Sequence, residues 1–171
     1  MVATAGRCAR ALATARYDVA VNVGVCGSFD PELRPGTVVH VVRDRLAELG
    51  AEDGDAFLTL RELQLEGEDE FVNAAPPASA ALAELPAVLG ITVNTVHGNA
   101  RSIAAVVART QPQVESMEGA AFMYACVLTG VPFAQVRAVS NLVERRNRDA
   151  WRMGEAIGNL GVVAMRILDT L

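Results

Sequence analysis

The sequence contains no lysine, only three cysteines and only two histidines, and these shortages exclude several kinds of site. Cys8, Cys26 and Cys126 are widely spaced, and no pair has the spacing of a zinc site or of a disulfide framework. We therefore expect no bound metal, and reduced thiols in a cytoplasmic protein. All 15 basic residues are arginine, which we attribute to coding bias because no special arginine motif accompanies it.

Long hydrophobic runs and an excess of positive charge are also missing. No apolar stretch reaches the roughly 20 residues of a membrane-spanning helix, and Arg7, Arg10 and Arg16 interrupt the start, unlike a signal peptide. The formal net charge of -5 argues against nucleic-acid binding, which uses a basic surface. With 51% hydrophobic and 20% charged residues, the 171-residue chain has the composition of one globular domain spanning residues 1–171.

Short apolar segments that alternate with helical patterns predict an α/β fold. Helices are predicted over residues 2–16, 76–85 and 117–129. A further helix is predicted to begin after the N-cap Asn99 and to run to Arg109, and a last one to begin after the N-cap Asp149 and to run through Trp151 towards the C-terminus. Strands are predicted over residues 19–25, 37–42, 90–96 and 133–139 and briefly at Val114, with residues 43–75 mostly loop apart from a short strand near Phe57–Leu60. Since these strands are apolar throughout, we expect helices on both faces of the sheet.

Ligands of such sheets bind at the carboxyl ends of the strands, where this sequence carries small and polar residues. Glu118 follows the short strand at Val114, at the start of an apolar helix. The other strand ends are Gly24–Ser28, which includes a predicted turn over residues 26–28, the segment His97–Asn99, and Ser140 with Asn141. We expect these ends to converge on one pocket.

Glu118 and Asn141 suggest the most specific chemistry. The two acceptor oxygens of a carboxylate match a ribose diol, although a favourable charge at a helix N-terminus explains Glu118 equally well. A carboxamide offers a donor and an acceptor to a base edge with a carbonyl beside a ring nitrogen, whereas tolerance of turn geometry is the simpler explanation of Asn141. We interpret Cys26 as a packed thiol and His97 as a satisfied polar residue, without catalytic roles.

Four segments together resemble the futalosine hydrolases, which belong to the nucleoside phosphorylase and methylthioadenosine nucleosidase superfamily. They are VNVGVCGSFDPELRPGTVV, VESMEGAAF, VPFAQVRAVSN and VERRNRDAW, and the similarity runs from about residue 9 to the C-terminus. The resemblance implies a three-layer α/β/α fold with a central mixed sheet that lacks the first strands of the family. It implies a domain that is incomplete at its N-terminus, without a counterpart of the water-activating carboxylate.

The resemblance also implies hydrolysis of the N-glycosidic bond of futalosine, with water as co-substrate and release of hypoxanthine, on a route to menaquinone. Met117 is implied to pack against the ribose, Glu118 to hold its 2′ and 3′ hydroxyls, and Asn141, beside Ser140, to bind the base. Adenine nucleosidases carry Asp at this base-binding position, so Asn implies a preference for 6-oxopurines. Residues matching the loops around sugar and base are Val25, Cys26 and Gly27, and Gly98, Asn99 and Arg101.

The resemblance further implies a homodimer that binds a small-molecule nucleoside and uses no metal or organic cofactor. Two alternatives remain open. One is a purine nucleoside phosphorylase, which uses phosphate in place of water. The other is a truncated, inactive nucleoside-binding module.

Overall fold

Five α-helices and eight strands make up the computed structural model, which describes residues 1–171. The helices are α1 (Val2–Thr14), α2 (Ala80–Ala83), α3 (Ala100–Thr110), α4 (Gly119–Thr129) and α5 (Met153–Leu168). The strands are β1 (Ala20–Ser28), β2 (Val38–Leu46), β3 (Gly50–Asp53), β4 (Ala56–Thr59), β5 (Glu70–Val72), β6 (Ala87–Thr92), β7 (Val114–Ser116) and β8 (Phe133–Leu142). None of the helices has the length and apolar character needed to cross a membrane.

Six strands form one mixed sheet in the order β5-β2-β6-β7-β1-β8, and β3 and β4 form a separate hairpin. β1 and β8 run parallel, as do β2 and β6, and β6 and β7. β7 is antiparallel to β1, and β5 to β2. The first residues of β2 also pair with β8, so the sheet curls back on itself. The mixed α/β sheet expected from the sequence is confirmed.

Helices cover both faces of this sheet because its strands are apolar on both faces. Under α5 lies one cluster, made of Val38, Ala134, Val136, Ala138, Leu160 and other apolar side chains. On the other face, α4 packs against Phe71 and Phe133, with Cys8 and Leu12 of α1 beyond it. α4 is buried from Gly119 to Met123, so it forms part of the core, whereas α1 has no buried residue and only covers α4.

Two predicted strand boundaries were wrong because hydrogen-bonding partners decide where a strand ends. Cys26–Ser28 is not a turn: β1 continues through it, because β7 pairs with Gly27 and Ser28, and a bulge follows Cys26. β6 ends at Thr92, although most of residues 90–96 are β-branched. Its neighbours β2 and β7 pair with it only as far as Thr92, so residues 93–96 have no ladder to join.

Two further predictions were wrong where charge or a distant contact determines the structure. Residues 43–75, predicted mostly as loop with a short strand near Phe57–Leu60, contain β4 at about that place but also the end of β2 and all of β3 and β5. Arg45 of β2 donates to Glu70 of β5 at 2.8 Å, so the charges here belong to a cross-strand pair. Asp149 lies in a 3₁₀ turn and does not cap α5, which begins at Met153. The amide of Arg152 donates to the carbonyl of Ser140 at 2.8 Å, and this bond fixes where α5 starts.

Candidate active site

Asn141 lies near the end of β8, and its side chain lines a small cavity together with Gly27 of β1. The Ser140 hydroxyl lies 2.8 Å from Asn141 Oδ1 and 3.1 Å from the carbonyl oxygen of Cys26, and it can donate to either. Asn141 Nδ2 donates to the carbonyl of Leu142 at 2.9 Å. These contacts fix the carboxamide, which keeps one N–H and one oxygen lone pair for a ligand.

Glu118 is the N-cap residue of α4, and its side chain is 44% exposed and makes no capping hydrogen bond. Its Oε2 lies 3.6 Å from a guanidinium nitrogen of Arg137, a distance for an ion pair and not for a hydrogen bond. Arg137 is 3% exposed, and burial lowers its pKa while the charge of Glu118 is the largest opposing effect. The carboxylate is thus held on one side by a buried cation and remains open to solvent on the other.

Arg137 belongs to a buried polar network that sequence reasoning missed. The same guanidinium donates to Asn22 Oδ1 at 2.6 Å and to Gln135 Oε1 at 3.2 Å. Gln135 Nε2 in turn donates to Asp44 at 2.9 Å. A lone arginine inside the apolar strand 133–139 was the available signal, because a buried charge requires partners. The network connects the exposed carboxylate of Glu118 to the centre of the sheet.

Asp44 is the most deeply buried carboxylate of this network. Its second oxygen accepts a hydrogen bond from the Thr92 hydroxyl at 2.8 Å, and the amide of Ala120 donates to that hydroxyl at 2.7 Å. Burial raises the pKa of Asp44 to about 6, although hydrogen bonds from Gln135 and Thr92 act in the opposite direction. A Cβ at Gly119 would collide with Asp44 and Gln135, so the network requires glycine at the first position of α4.

A second pair, half-buried His97 and buried Glu115, lines the cavity that contains Asn141. The ring Nδ1 of His97 lies 2.6 Å from Glu115 Oε2, and the backbone amide of His97 donates to Oε1 at 3.0 Å. Burial raises the pKa of Glu115, against the lowering effect of the hydrogen bonds and charge of His97. Glu115 was not singled out from the sequence, where an acid inside the short strand 114–116 was the only signal.

Of the predicted site residues, Gly27 and Asn141 line this cavity, and Glu118 does not. A Cβ at Gly24 would collide with the guanidinium of Arg137, which places the Glu118 ion pair beside Gly24. Gly24 and Gly27 are three residues apart on β1, or about 10 Å at the rise of an extended strand. The two predicted contacts therefore lie at separate positions along β1, and the expected convergence of the strand ends on one pocket holds for Gly27 and Asn141 but not for Glu118.

The remaining predicted residues lie around these positions in different settings. Met117 is 39% exposed next to Glu118. Val25 packs against the apolar cluster under α5. Burial raises the pKa of the Cys26 thiol to about 12, in keeping with a packed, neutral thiol. Asn99 caps α3 as predicted, by accepting a hydrogen bond from the amide of Arg101 at 2.9 Å.

Gly98, the last of the predicted residues, lies against the segment that follows β8. The amide of Arg146 approaches the carbonyl of Gly98 at 3.4 Å, and a Cβ at Gly98 would touch the Arg146 side chain. Arg146 and Trp151 line the same cavity as Asn141, and the guanidinium carbon lies 5.5 Å from the centre of the Trp151 ring. Gly98 therefore borders the cavity through a neighbour.

The sequence matches the Phosphorylase superfamily over residues 1–170. Futalosine hydrolase of Streptomyces coelicolor is 38% identical over 148 residues, which cover 84% of this chain and 62% of that protein. Futalosine hydrolase of Thermus thermophilus is 31% identical over 175 residues, which cover 95% of this chain and 77% of that protein. The chain thus spans less than two thirds of the Streptomyces relative and about three quarters of the Thermus relative.

Solved structures share the fold at lower identity. The native structure of futalosine hydrolase of Helicobacter pylori has a TM-score of 0.81 at 14% identity and covers 99% of this chain and 76% of its own. A methylthioadenosine/S-adenosylhomocysteine nucleosidase of Colwellia psychrerythraea, in complex with adenine, has a TM-score of 0.77 at 22% identity, with coverage of 99% and 74%. The chain therefore belongs to the phosphorylase superfamily, in which its curated relatives are futalosine hydrolases.

Proposed function

We propose that this protein hydrolyses the N-glycosidic bond of futalosine, with water as co-substrate and hypoxanthine as the leaving base. The observation that carries the proposal is the carboxamide of Asn141, held by Ser140 at the wall of a cavity beside the bare backbone of Gly27. A fixed carboxamide can donate to the 6-oxygen of hypoxanthine and accept from the adjacent ring N–H. The two curated relatives are both futalosine hydrolases, which supports futalosine as the substrate.

At the other end of the nucleoside, Glu118 is proposed to accept hydrogen bonds from the 2′ and 3′ hydroxyls of the ribose, with Met117 packing beside the sugar. As the bond to the base breaks, the sugar ring gains positive charge, so contacts from a fixed carboxylate strengthen in the transition state. Arg137 holds Glu118 at 3.6 Å and limits its motion. This preorganisation is what makes the carboxylate effective, because little reorganisation remains to be made during the reaction.

Assembly, location and pathway are further parts of the proposal. We propose a homodimer acting in the cytoplasm, on the futalosine route to menaquinone. Exposed apolar side chains along α5 supply a surface that a second copy can cover; they are Ile157, Val162, Met165 and Leu168. Residues 1–171 are proposed to act as one domain, with the sugar site at the start of α4 and the base site at the ends of β1 and β8.

The test is release of hypoxanthine from futalosine by the purified protein and by Glu118→Gln. We expect the substitution to lower kcat about 100- to 1,000-fold, or about 3–4 kcal/mol, as removal of one preorganised polar contact does. Glu84→Gln is the matched control, because Glu84 is an exposed carboxylate that pairs with Arg166 at 2.7 Å on another surface. Equal rates for Glu118→Gln and the parent protein would show that the ribose assignment is wrong.

Phosphate dependence of the same assay separates a hydrolase from a phosphorylase. A phosphorylase needs a cation free to hold phosphate near the sugar. Arg137, which pairs with Glu118, is buried and already donates to Asn22 and Gln135, which favours water as the nucleophile. Base release that requires phosphate would overturn this choice, and binding of hypoxanthine without any release from futalosine would identify an inactive binding module.

A further inference from the structure

Three adjacent strands place Glu115, Gly27 and Asn141 in one row across the sheet. Glu115 of β7 is the register partner of Gly27 on one side, and Asn141 of β8 is its partner on the other. A Cβ at Gly27 would lie 2.8 Å from Val143 Cγ2, 3.4 Å from Asn141 Nδ2 and 3.6 Å from Glu115 Cγ, so these three side chains surround the glycine. Two strand spacings separate the outer strands by about 10 Å, so Glu115 and Asn141 lie at the two ends of one cavity wall, with the Val143 side chain packed against Gly27 between them.

The Glu115 end of this row is occupied by the imidazole of His97. Both carboxylate oxygens of Glu115 are engaged by His97, one by its backbone amide and one by Nδ1, and this fixes the residue and its ring together. The edge of Phe29 packs against the ring with centroids 6.1 Å apart. Nε2 makes no hydrogen bond to the protein, and the ring lines the same cavity as Asn141.

The Asn141 end of the row cannot supply a proton, since a carboxamide has no acidic proton to transfer. A departing purine needs one, because a base that leaves as an anion is a poor leaving group. Imidazole is the side chain best suited to proton transfer near neutral pH, and a carboxylate on the opposite nitrogen orients the ring.

We propose that His97, oriented by Glu115, donates a proton from Nε2 to N7 of the purine as the N-glycosidic bond breaks, while Asn141 binds the 6-oxo edge. This inference rests on the proposed function and adds to it the acid of the reaction. The bonding electrons of C1′–N9 pass into the purine, and the proton from Nε2 forms the new N7–H bond. Water adds its oxygen to C1′ and releases a proton to solvent, from which the imidazole is protonated again.

The experiment compares two substrates: the leaving group of one needs a proton as the bond breaks, and the leaving group of the other does not. Inosine releases a purine, whereas 4-nitrophenyl β-D-ribofuranoside releases a phenolate that is stable without protonation. We expect His97→Gln to lower kcat for inosine about 100-fold or more, the scale of general acid catalysis, and to change the nitrophenyl reaction far less. Glu115→Gln should follow the same pattern with a smaller loss, because its amide still accepts one hydrogen bond from the ring.

Glu48→Gln is the matched control, because its charge acts on Glu115 but it makes no hydrogen bond to His97. Equal losses on both substrates in His97→Gln would mean that His97 only maintains the structure, and unchanged rates on both would mean that it takes no part; either result overturns the inference alone. Failure of the parent protein to release hypoxanthine from inosine and from futalosine would refute the proposed function, and the inference would fall with it.

Discussion

Replacement of Asp44 by Asn should change how the stability of the protein depends on pH. Asp44 is about 1% exposed and accepts hydrogen bonds from Gln135 and Thr92. Its pKa rises from 3.8 to about 6 on folding, chiefly through burial. Because the folded-state pKa is the higher one, the stability contributed by protonated Asp44 is fully present below pH 3.8 and is lost as pH rises through about 6.

The size of this effect follows from the same two values. A change in pKa from 3.8 to about 6 corresponds to about 3 kcal/mol in the free energy of unfolding. About 2 kcal/mol of this is lost between about pH 4.5 and pH 7.5. Asn has nearly the same shape and no charge, so Asp44→Asn should lack this part of the pH dependence. As the pH rises from about 4.5 to about 7.5, the unfolding free energy of the variant should therefore increase by about 2 kcal/mol relative to that of the parent.

Urea unfolding at several pH values measures this difference directly. Asp18→Asn, at an exposed carboxylate outside the network, is the matched control, and its difference from the parent should stay constant. If the unfolding free energies of the parent and of Asp44→Asn changed with pH in the same way, the reasoning would be refuted, because folding would then leave the proton affinity of Asp44 unchanged. A fixed offset in favour of the parent would report only the hydrogen bonds lost to Gln135 and Thr92.

Two further predictions concern Gly24, which lies beside the buried arginine, and the carboxamide of Asn141, which is proposed to bind the base. Gly24→Ala should lower stability in thermal unfolding by about 1–3 kcal/mol and should lower kcat, because the added Cβ collides with Arg137. Gly161→Ala is the control: Gly161 has open space around it, so this change should be neutral or stabilising in thermal unfolding. Asn141→Asp should weaken hypoxanthine binding and strengthen adenine binding in calorimetric titrations, because a carboxylate only accepts hydrogen bonds. Asn159→Asp, remote from the cavity, should leave both affinities unchanged, and a loss for hypoxanthine without a gain for adenine would contradict the role of Asn141.

Local sequence patterns were enough to predict the elements whose structure depends on near neighbours. The apolar runs of β1 and β8 predict buried strands because both of their faces are covered, and Asn99 predicts the start of α3 because a cap acts within one turn. The small residues at the end of β1 and the polar pair Ser140–Asn141 were correctly placed next to each other, since parallel strands end at the same edge.

Sequence patterns did not predict contacts that join distant segments. Asp44 and Gln135 are 91 residues apart, and Asp44 lies in a region whose dense charge suggested a loop. Arg137 and Glu118 come from different elements, and nothing local to either residue indicates that they meet. The same holds for His97 and Glu115, because a single histidine after a strand has the same local pattern whether or not a carboxylate lies opposite.

The pairing of β8 with both β1 and β2 has a consequence for how the chain folds during synthesis. β8 is the parallel partner of β1 along its whole length and the antiparallel partner of the first residues of β2. Neither of these earlier strands can complete its ladder until Phe133–Leu142 has left the ribosome. Such non-local pairing makes folding slow, so a nascent chain stalled before residue 133 should remain sensitive to protease, whereas one that exposes residue 142 should begin to resist it.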